Sequence, residues 1–324
     1  MTTPASARDI NQPFFGFHMP SYSYSGVAPA ALFEAIVDRA VAAEAAGFDL
    51  VTVMDHFYQI GGVGPEDEPM LEAYATLAGL AARTTRVRLG ALVTGVTYRN
   101  PAVLAKTVTT LDVISGGRAV LGLGAAWNEV EHVGYGVDFP PIKERMDRLG
   151  EALTICHLMF TEERPTYLGR HYRIERALNS PRPVQPGGPP IVVGGGGERR
   201  TLRLAAEHAD WTHWFASSID ALRHKTEVLE RHCQDVGRDP ATIIRTIGSP
   251  VLPVASEAEA EAALERIAPE RRGALTPATP ARAAEILSGY VEAGFTGFTF
   301  GNTMLPTNES VALAGEVLTL LRRR

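Results

Sequence analysis

Cysteine is scarce: only Cys156 and Cys233 occur in 324 residues, and no Cys-x-x-Cys pair is present. Both fall in helical patterns, which reads as two buried reduced thiols in a cytoplasmic protein, not a disulfide framework. Basic excess is missing as well. The 31 Lys and Arg against 37 Asp and Glu leave a net charge of −6, which argues against nucleic acid or an anionic membrane as the main partner. No apolar run reaches the roughly 18 residues of a membrane span. The first eight residues lack the charged-then-apolar order of a signal peptide. A Gly-x-Ser-x-Gly nucleophile elbow is also absent, since Ile247-Gly248-Ser249-Pro250 does not have its form. Metal ligation lacks its pattern too. His18 has no histidine two positions away, and Glu129-x-x-His132 has the spacing of a di-iron helix with no second copy.

What is present is alternation. Strand-like runs at 14–18, 50–54, 87–93, 119–123, 191–193, 209–213, 243–247 and 297–300 are separated by helical patterns. Several runs are continuously apolar, as parallel strands covered on both faces should be. Gly47 and Gly294 each end a helical stretch and lead at once into a strand, the mark of short αβ loops with a glycine C-cap. Eight such units predict a (β/α)8 TIM barrel in one domain over 1–324, and a doubly wound open sheet is the alternative. Two segments exceed a typical unit. Residues 161–188, after the fourth strand, are rich in Tyr, Arg and Pro and are expected to be a lid or, equally, a packing arm or dimer contact. Residues 250–280, after the seventh strand, hold a Glu/Ala-rich helix.

In a barrel, the C-terminal strand ends converge on one mouth. They bring His18, Asp55-His56, Thr94-Gly95-Val96, the turn through Trp127 and Asn128, and His213 together. Asp55-His56 is the sharpest pair, because a carboxylate beside an imidazole can steer a proton. After the fifth strand come Gly194, Gly195, Gly196 and Gly197, then a helical pattern. Such a turn lets backbone N–H groups close on a phosphate at a helix N-terminus. Its glycine spacing is not that of the dinucleotide fingerprint. A phosphate cup beside a mouth rich in Gly and Ala suggests a phosphorylated planar cofactor, with Trp127 and Phe57 as walls.

Several stretches carry a family pattern: Val53-Met-Asp-His-Phe57, Thr94-Gly-Val-Thr-Tyr-Arg-Asn-Pro101, Ile114-Ser-Gly-Gly-Arg118 and Leu121-Gly-Leu-Gly-Ala-Ala-Trp-Asn-Glu129. Glu131-His-x-x-Tyr-Gly136, Arg145-Met-Asp-Arg-Leu-Gly-Glu-Ala-Leu153 and the glycine cup continue it. In this order they resemble the bacterial luciferase-like superfamily, in particular its coenzyme F420-dependent oxidoreductase branch. The resemblance implies a (β/α)8 barrel that binds F420, with FMN as the alternative. It implies hydride transfer between the deazaflavin and a small organic substrate, in a homodimer. An FMN-dependent monooxygenase and a non-catalytic cofactor-binding protein are the competing readings. By the same resemblance, Asp55 contacts the ring edge, a cis peptide at Gly95–Val96 supports the ring, and Asn128 lines it. The glycine cup would hold the phosphate, and His56 would handle a proton. The sugar-phosphate dehydrogenases of the family carry a Glu at the start of the fourth-strand turn, where this chain has Ala125-Ala126-Trp127. That departure puts sugar-phosphate oxidation in doubt and leaves Glu129, displaced toward the next helix, as the acid/base candidate.

Overall fold

The computed structural model describes residues 12–267, 272 and 274–324; the N-terminal stretch read for a signal peptide and part of the 250–280 insertion lie outside the described residues. Eight parallel strands form the barrel: β1 (Phe14–Met19), β2 (Leu50–Val53), β3 (Arg88–Ala91), β4 (Ala119–Gly124), β5 (Ile191–Gly194), β6 (Trp211–Trp214), β7 (Ile244–Gly248) and β8 (Gly297–Gly301). Each pairs with its neighbour in chain order. β8 returns to β1 through Phe14↔Gly297, and β3 meets β4 through Leu89↔Ala119, so the sheet closes. The eight expected runs are the eight strands, shifted by one or two residues at their ends.

Alternation along β1 shows why these strands read as apolar on both faces. Phe15, Phe17 and Met19 point outward into a fully buried layer beneath the helices, while Phe14, Gly16 and His18 face the barrel interior. The outer shell includes α1 (Leu32–Ala45), α2 (Ala73–Arg83), α3 (Pro101–Ser115), α4 (Glu129–Tyr135), α5 (Ile142–Thr161), α6 (Thr201–His208) and α7 (Ile219–Val236). It continues with α8 (Glu257–Arg266), α9 (Pro280–Glu292) and α10 (Asn308–Leu321). Gly47 (φ 92°) and Gly294 (φ 89°) adopt the left-handed backbone expected of them, and the chain enters β2 and β8 within a few residues.

The interior is layered. Leu50, Val120, Val192 and Trp211 pack with Phe14 and Ile244 at the lower end. Above them the registers place Thr52, Thr246 and Thr299 among glycines, and His18 and His213 at the top. The glycines leave the upper interior open because the strands approach closely. A Cβ on Gly90 would lie 2.6 Å from the Val120 carbonyl oxygen, and one on Gly122 would overlap that of Ala91.

The two long connections lie on different faces. Residues 161–188 follow α5, so they join an αβ connection, which emerges opposite the barrel mouth. They pack as an arm: Asn179 Nδ2 donates to Thr109 Oγ1 (2.9 Å), and Gln185 Nε2 to Asp112 Oδ1 (2.7 Å). None of them lines the mouth cavity; Gln185 to Gly188 border a separate cavity beneath the barrel. The segment after β7 is a βα connection, and its Ala274 and Leu275 reach the mouth.

Gly122→Ala should lower stability by about 1–3 kcal/mol, the usual cost of overpacking, because backbone and not a flexible side chain stands in the way. Gly61→Ala, which opens into free space, should stay within about 0.5 kcal/mol. Urea midpoints of the two variants check this, and equal midpoints would show that the strands can spread.

Candidate active site

The mouth encloses a cavity of about 750 Å³. Its floor is the upper barrel layer, and its walls come from the turns after β2, β3, β4, β5, β6 and β7. Asp55, His56, Thr94, Gly95, Gly194 and Gly195 all border it, with His18, Tyr98, Trp127 and His213. Val96, Asn128, Glu129, Gly196 and Gly197 do not. Val96 is buried in the core and donates its amide to Gly124 O (2.9 Å). Asn128 stands at the N-cap of α4, its carbonyl hydrogen-bonded by His132 Nδ1 (2.6 Å). Phe57 stacks on Tyr135 (4.5 Å) away from the cavity, whereas Trp127 stands at the rim, edge-on to His56 at 5.5 Å.

His56 owes its orientation to Glu131, which lies 75 positions further along the chain. Its Nδ1 is hydrogen-bonded to Glu131 Oε1. Glu131 is fully buried and also accepts from the Phe57 amide (2.5 Å), the Tyr58 amide (3.3 Å) and the Tyr98 hydroxyl (2.9 Å). Burial opposes its charge, but the hydrogen bonds from His56, Phe57 and Tyr98 outweigh that, so its pKa lies below the ordinary carboxylate value. Glu129, the residue singled out earlier, is exposed on the first turn of α4. The rotation of α4 separates them. Glu131 and His132 face inward, while Val130 and Val133 face solvent at 56% and 73% exposure. The apolar side of this helix thus faces outward and its Glu131-His132 pair inward, the reverse of the usual amphipathic order.

Asp55 sits beneath its neighbour with both oxygens gripped by Arg99, Nη1 to Oδ2 at 2.6 Å and Nη2 to Oδ1 at 3.0 Å. Burial pushes its pKa up in spite of Arg99. Arg99 also pairs with Glu72 and lies over the Tyr74 ring, whose hydroxyl shares a 2.7 Å hydrogen bond with Thr94 Oγ1. Asp55 is thus held rigid at the cavity edge.

The chain after β3 supplies the central wall. The cis peptide lies at Leu92–Val93 and not at Gly95–Val96. β3 ends at Ala91 and Thr94-Gly95 already pairs with Leu123-Gly124 of β4, so the bend falls between those two pieces. It sets Val93 against Gly124 and Gly194, where an added Cβ on either would come within 2.8 Å of Val93 Cγ2. Small residues continue across the β4 turn, where Ala126 holds a left-handed backbone (φ 59°), a strained state for a residue with a Cβ.

The glycine cup follows β5. Gly195 has φ 104°, which glycine alone accepts easily, and its amide donates to His213 O (3.0 Å). Lys225 of α7 reaches the loop, its Nζ donating to Gly196 O at 2.8 Å. Gly197 packs against Thr201 at the start of α6. A cation, a side-chain-free turn and a helix N-terminus together suit an anionic group.

At the cavity floor, burial lowers the pKa of His18 to about 4 and that of His213 to about 3. Each is therefore neutral in the fold, while its unfolded counterpart titrates near 6.5. A depressed pKa contributes stability that is complete above pH 6.5 and is lost as pH falls toward 4 for His18 and toward 3 for His213. His18→Gln and His213→Gln should each lose on the order of 2–3 kcal/mol less than the parent between pH 7 and pH 4. Urea midpoints across that range measure it, and parallel curves would contradict the buried neutral state.

The comparisons agree with this architecture. The profile of the luciferase-like monooxygenase family matches residues 14–305. The F420-dependent glucose-6-phosphate dehydrogenase of Kineococcus radiotolerans is 30% identical over 297 residues, 82% of this chain and 86% of that protein. The enzyme of that name from Intrasporangium calvum is 40% identical over 168 residues, 50% of this chain and 48% of that protein. The match thus spans about half the length of several curated relatives. Among solved structures, an F420-dependent secondary alcohol dehydrogenase in complex with an F420-acetone adduct superposes with a TM-score of 0.80 at 19% identity, over 96% of this chain and 99% of that one. The coenzyme F420-dependent tetrahydromethanopterin reductase of Methanopyrus kandleri gives 0.75 at 19% identity, over 94% and 97%. At such identities the structural likeness speaks for the barrel. The sequence match, which runs from the first barrel strand past the last, goes further: this chain belongs to the luciferase-like monooxygenase family.

Proposed function

We propose that the chain is an oxidoreductase that uses the deazaflavin coenzyme F420 and moves a hydride to or from a small organic substrate. One observation carries the reading: His56, held by a buried carboxylate, borders a glycine-lined cavity of about 750 Å³. The residues fit the coenzyme. Gly95, Gly124 and Gly194 with Val93 form a flat wall against which a ring can lie. The Gly195 turn, Lys225 and the start of α6 suit its phosphate. The F420-dependent relatives support the choice of coenzyme.

When bound, F420 supplies two-electron hydride chemistry, and an accompanying proton must be held by the protein. His56 is built for that proton. Glu131, kept ionised, accepts the Nδ1 hydrogen, so Nε2 carries the lone pair that takes a proton from a hydroxyl. The imidazolium then formed is balanced by Glu131, whose own oxygens are fixed by the Phe57 amide and the Tyr98 hydroxyl. Ala125 and Ala126 stand where the sugar-phosphate dehydrogenases carry a Glu, so the substrate named for the relatives is not assigned to this chain. A cytoplasmic homodimer belongs to the same proposal. It is supported by the buried free thiols Cys156 and Cys233 and by the exposed Val103, Val113 and Ile114 of α3.

Fluorescence titration should give F420 binding at least tenfold tighter than FMN, about 1.4 kcal/mol. Equal or tighter FMN binding would move the protein to the flavin-dependent monooxygenases. His56→Ala should lower turnover by about a hundredfold with only a few-fold change in F420 affinity. Glu131→Gln should act in the same sense by roughly tenfold or more. Turnover and affinity falling together in either variant would reduce the pair to a packing role.

A further inference from the structure

Two histidines at the cavity floor take no part in the proton handling assigned to His56. His18 on β1 and His213 on β6 both border the cavity, and each is tied through Nδ1 to a threonine on the next strand. His18 shares a 2.9 Å hydrogen bond with Thr52 Oγ1, and His213 a 2.8 Å bond with Thr246 Oγ1. The second bond has a defined direction. Thr246 Oγ1 gives its only hydrogen to Thr212 O (2.7 Å), so it must accept from His213 Nδ1–H. His213 Nε2 then carries a lone pair, with no partner among the described residues. No such chain fixes Thr52, so His18 can offer either a donor or an acceptor at Nε2.

The surroundings limit what can meet these nitrogens. Ile60, Val63, Trp214, Leu275 and Met304 give the cavity lining much apolar surface. Among the described lining residues there is no Lys or Arg to balance a substrate anion. The one buried carboxylate, Asp55, is already matched by Arg99, which leaves it little pull on a substrate cation. A charged group brought here would lose hydration with nothing to replace it. A hydroxyl loses little, because it can donate to the lone pair of His213 Nε2.

We propose that the substrate is an uncharged, mainly apolar molecule that carries, apart from the group whose proton His56 handles, a hydroxyl that donates to His213 Nε2, with its apolar body against Ile60, Trp214 and Met304. This rests on the reading of the mouth cavity as the reaction site, and it makes His213 a specificity residue set by the Thr246–Thr212 hydrogen-bond chain.

The test uses four probes of one shape: cyclohexanol, methylcyclohexane, cyclohexanecarboxylate and cyclohexylammonium. They are titrated into F420-saturated protein and followed by calorimetry and by the ¹⁵N shift of His213 Nε2. Cyclohexanol should bind at least tenfold more tightly than the other three and move the Nε2 resonance. His213→Leu should remove the preference for cyclohexanol over methylcyclohexane. Thr246→Val, which keeps the ring but frees its tautomer, should reduce that preference several-fold and serves if the first variant does not fold. Carboxylate or ammonium binding as tightly as the alcohol, an unchanged preference in both variants, or no binding of any probe would overturn the inference. F420 binding measured beforehand separates the two levels: normal coenzyme binding with no preference among the probes sinks the substrate class alone, whereas failure to bind F420 sinks the site reading itself.

Discussion

A closed barrel of eight strands is ordinarily filled by layers of side chains, and the constraint that organises this protein is that its upper layer is emptied. Gly90, Gly122, Gly124 and Gly194 bring neighbouring strands so close that a Cβ would collide with backbone or with Val93. The same absence of side chains opens the cavity above. The stability of the wall and the space for a ligand therefore come from the same residues, while the apolar layer of Leu50, Val120, Val192 and Trp211 holds the lower end shut. What projects into the opened layer is polar and fixed: His18, His213 and their threonines.

The site depends on two carboxylates treated in opposite ways. Asp55 and Glu131 are both buried. Asp55 has a guanidinium against both oxygens, yet its burial prevails and its pKa rises. Glu131 receives hydrogen bonds from an imidazole, backbone amides and a phenol, which prevail over burial and lower its pKa. Asp55 thereby becomes a structural anchor bound to Arg99, and Glu131 a fixed negative partner for an imidazole that faces the cavity.

Much of this was legible in the chain. The eight strands, the glycine caps at Gly47 and Gly294, the cup after β5 and the placement of Asp55-His56 at a strand end all follow from local pattern, because each depends on backbone propensity or on residues a few positions apart. The choice between a lid and a packing arm for 161–188 did not follow. Length alone does not say whether a long connection leaves the barrel at its mouth or at its base; that depends on the segment following a helix and not a strand.

What the sequence by itself determined is the fold, the family and the identity of the strand-end residues, since hydrophobic periodicity and ordered motifs suffice for them. Tertiary structure alone decided who meets whom. Glu131 and not Glu129 reaches His56 because the rotation of α4 turns its charged face inward and leaves Val130 and Val133 in solvent. Lys225 reaches the glycine cup from α7, 29 positions beyond the Gly196 carbonyl it holds. The lone pair on His213 Nε2 is set by a hydroxyl on the neighbouring strand. Each is a contact between distant parts of the chain, and such contacts exist only once the strands have closed and brought those parts together.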